Sequence, residues 1–140
     1  MGDLVDDNVR HARDWAEAAP FYRTLGIAVE DVAAGRVRLR LDVGERHLNG
    51  DGIVHGGVLP ALADAAMGSA ARTLHGERAQ MLTAESNMRY LRAIEGGAIV
   101  AEARIIKSGR RVAFVEVDVT DALGELVARG AATFVIQMKE

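Results

Sequence analysis

Residues 56–72 read Gly56-Gly57-Val58-Leu59-Pro60-Ala61-Leu62-Ala63-Asp64-Ala65-Ala66-Met67-Gly68-Ser69-Ala70-Ala71-Arg72. Apolar and small residues fall on nearly every side of this run, which predicts a helix over about 56–76, ending near Gly76. A surface helix would carry more charge, and a bundle helix would carry larger apolar residues. Small side chains on most sides mean that other backbone comes close on most sides. A helix wrapped by a curved sheet has that requirement.

The flanking sequence supplies the sheet. Residues 4–18 place Leu4, Val9, Ala12, Trp15, Ala16 and Ala19 on a loose helical stripe that Pro20 ends. Ile27 to Val32 is short and β-branched, and Ala34-Gly35 is a turn. Val37, Leu39, Leu41 and Val43 then alternate with Arg36, Arg38, Arg40 and Asp42, so the two segments make a hairpin. Four more strands come after the central helix: 81–91, with Leu82, Ala84, Ser86, Met88 and Tyr90 on one face, then 99–106, 112–119 and 126–138. The order helix, two strands, long helix, four strands indicates an α+β fold with an antiparallel sheet. One domain over 1–140 is expected, with 1–20 as a helical extension.

Composition narrows the function. The chain has 140 residues, a net charge of −3, 49% hydrophobic and 26% charged residues, and no cysteine. No global positive field draws in nucleic acid or anionic membrane. Thiolate nucleophiles, disulfides and thiolate metal sites are excluded together, and the composition fits a reducing, cytoplasmic setting. No apolar run approaches the ~20 residues of a membrane span. There is no G-x-x-x-x-G-K-[ST], and no G-x-G-x-x-G after a strand, to support nucleotide hydrolysis or dinucleotide redox.

Chemistry concentrates just ahead of the central helix, in Asn49-Gly50-Asp51-Gly52-Ile53-Val54-His55-Gly56-Gly57. Gly56-Gly57 stands where a loop becomes a helix, so its N–H groups can bind negative charge developing on oxygen. Asp64 lies about two turns on, and positions 57, 61, 64, 68 and 71 share a face reading Gly, Ala, Asp, Gly, Ala. A lone acid among small residues leaves room for a ligand. Oxyanion donors plus one carboxylate point to acyl transfer or hydrolysis.

These residues resemble a hot-dog-fold thioesterase of the phenylacetic-acid-degradation (PaaI-like) group. The resemblance rests on Asn49, His55-Gly56-Gly57 and Asp64, on the small-residue helix, and on the turn Lys107-Ser108-Gly109-Arg110 between two strands. It covers roughly residues 20–138. It implies hydrolysis of acyl-coenzyme A thioesters, aryl-acetyl and medium-chain groups among them, no metal or cofactor, and assembly as dimers or tetramers. It gives Asp64 the part of nucleophile or general base, and Gly56 N–H the polarising of the thioester carbonyl. His55 holds the loop, Asn49 orients the water or the carbonyl, and Thr83 positions water. Gly57 joins the substrate-binding set with Lys107, Ser108, Gly109, Arg110 and Arg111, whose cations suit coenzyme A phosphates. Phe21, Tyr22, Tyr90 and Phe114 are the aromatic residues available to the pocket.

A helix rises ~1.5 Å per residue, so Gly56 and Asp64 stand about 12 Å apart along one axis. Both can act on one thioester only if they come from different chains, which predicts a site shared across a dimer interface. Two other functions remain open. A hot-dog hydratase or dehydratase would use an acid and a histidine at a tighter, different spacing, with four residues between them. Asp51 and His55 have three between them, and the catalytic-looking acid comes later. A non-catalytic acyl- or nucleotide-binding module would not need the Asn49, His55 and Asp64 set. A metal site from His47, Asp51 and His55 would sit on a loop without regular register.

Overall fold

The computed structural model describes residues 2–140. Helix α1 spans Gly2–Ala18 and helix α2 Pro20–Leu25. Strands β1 (Ile27–Ala33) and β2 (Arg36–Asp42) form the expected hairpin, with Ile27 opposite Leu41. Helix α3 is Val58–Arg72. Strands β3 (Ala79–Tyr90), β4 (Ala98–Ser108), β5 (Val112–Thr120) and β6 (Leu126–Met138) complete one sheet in the order β1-β2-β4-β5-β6-β3. Every neighbouring pair is antiparallel. This is the α+β hot-dog architecture: a curved sheet wrapped around one long helix.

Helix α3 lies against all six strands. Its composition is the cause, because alanine and glycine let the strand backbones approach. A β-carbon at Gly68 would stand 3.4 Å from the Phe134 ring, which is itself 2% exposed. Eleven residues of α3 are buried, and only Pro60, Ala61, Asp64 and Gly68 are partly open. The expected face of 57, 61, 64, 68 and 71 therefore holds as far as Gly68, whereas Ala71 is buried.

Two local readings need correction. Pro20 does not only end α1: with its φ fixed and no N–H to satisfy, it also opens α2 at the first helical position. Burial pushes the Tyr22 phenol of α2 up to about 12, and its hydroxyl donates to the Ala65 carbonyl at 3.2 Å, fixing α2 to α3 beside Asp64. Secondly, Leu82, Ala84, Ser86, Met88 and Tyr90 do not share a face. The register of β3 on β6 slips between Thr83 and Glu85, so Ala84 is an extra residue. Such a bulge flips the parity of every later residue in the strand. Thr83 pairs with buried Phe134 and Tyr90 with buried Ala128, so both face α3, while Leu82 pairs with exposed Val135 and faces outward.

At the far end of α3, Arg72 is 3% exposed. Its guanidinium lies 4.1 Å from the centre of the Trp15 ring and donates to the Ala79 carbonyl at 3.0 Å. These contacts tie α1 and the start of β3 to the C-terminal turn of α3, where the helix dipole favours a cation.

Candidate active site

Asp64 and Thr83 meet: the Thr83 hydroxyl donates to Asp64 Oδ1 at 2.8 Å. The carboxylate sits on the one open stripe of α3, with Ala61 and Gly68 on either side. A carboxylate held by one hydroxyl keeps acceptor capacity for a water or for attack on carbon.

The loop end of the motif is built by its own hydrogen bonds. Asn49 Oδ1 accepts from the N–H groups of Asp51 (2.9 Å) and Ile53 (3.3 Å), which folds residues 49–53 into a side-chain-capped turn. Its carboxamide oxygen is thereby spent, leaving the NH2 group as the half that can serve a ligand. His55 Nδ1 accepts from Gly57 N–H at 2.8 Å, so in the neutral ring Nε2 carries the proton. That contact commits the Gly57 amide to the loop rather than to substrate. Among the described residues the Gly56 N–H makes no hydrogen bond, so of the two glycine amides it is the one left unengaged.

Tyr90, expected only as an available aromatic residue, has a defined place here. Its hydroxyl donates to the Gly56 carbonyl at 2.6 Å. Asn49, Ile53, Val54, Gly56, Leu59 and Tyr90 line part of a cleft of about 340 Å³ that continues along Leu91 to Ile94. Simple alternation could not have assigned Tyr90 and Thr83 to one side; only the bulge at Ala84 does so.

His47, a metal ligand on paper, is 2% exposed, and both ring nitrogens are occupied. Nδ1 accepts from Gly44 N–H at 2.8 Å, which leaves Nε2 to donate to the Leu25 carbonyl at 2.7 Å. The loop from 44 to 48 is therefore pinned to the end of α2 by this ring.

The basic turn lies apart from the loop. Lys107 and Ser108 are the last residues of β4, and Gly109, Arg110 and Arg111 connect it to β5. Val112 stands opposite Val135, and Val135 opposite Leu82, so the turn is at the Asp64 end of β3 and not at the Gly56 end. Ser108 is bound to the chain rather than free, with Oγ 2.9 Å from His75 Nε2. Burial lowers the pKa of His75 from the ordinary histidine value.

With this geometry, comparison with known proteins decides the family. The thioesterase superfamily model matches residues 51–128, which contain His55, Gly56, Asp64 and Thr83. The chain belongs to the thioesterase superfamily. Acyl-coenzyme A thioesterase 13 of Homo sapiens is 36% identical over 121 residues, covering 84% of this chain and 85% of the relative. A variant of the phenylacetic acid degradation protein PaaI from Thermus thermophilus superposes with a TM-score of 0.77 at 32% identity, over 84% of this chain and 98% of the other. The Escherichia coli PaaI protein reaches a TM-score of 0.88 over 97% of each chain at 20% identity, a likeness of fold. This thioesterase is thus a thioester hydrolase of PaaI-like architecture.

Proposed function

We propose that this thioesterase hydrolyses acyl-coenzyme A, releasing a carboxylic acid and the free thiol, with aryl-acetyl or medium-chain acyl groups as substrates. The observation that carries the reading is the Thr83–Asp64 pair on the open stripe of α3, together with a Gly56 N–H left unengaged. Asp64 attacks the thioester carbon or takes a proton from the attacking water. Gly56 N–H, helped by the NH2 group of Asn49, takes the negative charge on the carbonyl oxygen. Thr83 and His55 hold these groups in place. The cations of Lys107, Arg110 and Arg111 serve the coenzyme A phosphates.

The site is completed by a second copy of the chain. Gly56 lies in the loop before α3, whereas Asp64 stands six residues past Val58, about 9 Å further along the helix axis. Strand β3 is at an edge of the sheet, and among the described residues no strand covers its far side. Pairing it with its own copy across a two-fold axis brings the ends together if Thr83 lies opposite the partner's Tyr90. Of the paired positions 83, 85, 86, 87, 88, 89 and 90, Asn87 is the middle and falls on the axis. Glu85 then faces the partner's Arg89. Both are outward, opposite Thr133 and Arg129 of β6 in their own chain, so the register places unlike charges together twice. We take residues 1–140 as one domain with a helical extension over 1–20, acting in the cytoplasm as a dimer or a dimer of dimers.

A thiol-release assay over a panel of acyl-coenzyme A esters tests the reading. Turnover of phenylacetyl or medium-chain esters supports it. Hydration of enoyl-coenzyme A without thiol release would replace it with the hydratase alternative.

A further inference from the structure

Glycines 56 and 57 raise a problem that the proposed mechanism does not answer by itself. A β-carbon at Gly56 would meet nothing within 4 Å, one at Gly57 would crowd the His55 ring at 3.1 Å, and neither glycine has a positive φ. Backbone conformation does not fix this segment, and two successive glycines are the most freely moving backbone a chain can have. An amide that stabilises a developing charge has to be held in place before the reaction. Something outside the glycines must hold it.

Two side chains do so. The peptide group joining Gly56 to Gly57 is gripped at both ends. Its N–H donates to His55 Nδ1 at 2.8 Å, and its carbonyl accepts from the Tyr90 hydroxyl at 2.6 Å. Gly57 caps α3, and Val58 N–H donates back to the His55 carbonyl at 2.9 Å. With the 56–57 peptide immobilised, the preceding amide, Gly56 N–H, is the one left free and fixed in direction. His55 acts from within the same loop and moves with it. Tyr90 is the one contact from the sheet, and the bulge at Ala84 turns it toward α3 on the same side as Thr83.

From this we infer that Tyr90 is a positioning residue for carbonyl polarisation: its hydroxyl fixes the Gly56–Gly57 peptide so that the Gly56 N–H meets the thioester oxygen. The inference rests on the proposed thioesterase site. The Tyr90 hydroxyl is engaged by the Gly56 carbonyl while its ring lines the cleft, so loss of the hydroxyl alone should act on turnover more than on affinity.

The test compares Tyr90→Phe and Tyr90→Leu with wild type and with Asp64→Asn, using the full chain and a turned-over acyl-coenzyme A. The phenylalanine variant keeps the ring and removes only the hydroxyl. It should lower kcat about 10- to 100-fold, the scale of a misplaced catalytic group, with KM within about threefold and an unchanged melting temperature. Amide hydrogen exchange at Gly57, measured by NMR, should speed up in both variants. A kcat for Tyr90→Phe within twofold of wild type, while Asp64→Asn is inactive, overturns the inference and leaves the proposed mechanism standing. Unchanged exchange at Gly57 also overturns it. Wild-type turnover by Asp64→Asn removes the mechanism, and the inference with it.

Discussion

Mixing two inactive variants should produce a defined fraction of wild-type activity. Asp64→Asn removes the carboxylate at one end of the motif, and Gly56→Pro removes the N–H at the other. Proline has no amide hydrogen, and a β-carbon at 56 would meet nothing within 4 Å, so the second variant is expected to fold. Gly56 lies in the loop ahead of α3, and Asp64 stands six residues past its first residue, Val58, about 9 Å further along the axis, so in the proposed shared site Asp64 comes from one chain and Gly56 from the other. A hybrid dimer then holds one doubly damaged site and one intact site. Random exchange of equal amounts makes half of the dimers hybrid, each with one working site of two, so recovery should be about one quarter of wild-type turnover. The assay is thiol release after co-refolding, with hybrid content measured by a tag on one variant. If both groups served the same thioester within one chain, no site in the mixture would be intact. Absence of recovery in demonstrably hybrid dimers refutes the shared site.

The same geometry makes further outcomes testable. Glu85→Arg should weaken self-association, because it faces the partner's Arg89 in the proposed register; adding Arg89→Glu should restore it, as read by sedimentation. His75 sets a pH dependence of stability, because burial lowers its folded-state value. Above the ordinary histidine value of ~6.5 both states are neutral and it contributes no slope; below that value the unfolded chain takes up the proton first, so stability falls as pH falls. His75→Gln should flatten the decline of melting temperature between about pH 7 and 5.

The central helix and the order of strands were legible because composition and periodicity are local. Small residues through Ala61 to Ala71 could pack in few ways, and the alternation of Val37, Leu39 and Leu41 fixed a face that the structure buries completely. What escaped was parity. Alternation assumes an unbroken strand, whereas β3 carries an extra residue at Ala84, and that one residue moves Leu82 outward and Tyr90 inward. Nothing in the local sequence marks it. The loop chemistry was legible as a set of residue types but not as a division of labour. Only the folded chain shows that Asn49 spends its oxygen on its own turn, that His55 takes up the Gly57 amide, and that both nitrogens of His47 are occupied. A hydrogen bond between a loop and a strand distant in sequence, such as Tyr90 to Gly56, leaves no periodic trace.

The carboxylate on the open face of α3 is the centre of the account, and Asp64→Asn addresses it most directly. The substitution keeps the side-chain shape and an oxygen able to accept from Thr83, and it removes the charge and the basicity. Steady-state thiol release from an acyl-coenzyme A should fall by about 10²–10⁴ in kcat, the range for a positioned acid–base group, with the fold unchanged. A loss of less than about tenfold would contradict the assignment of Asp64.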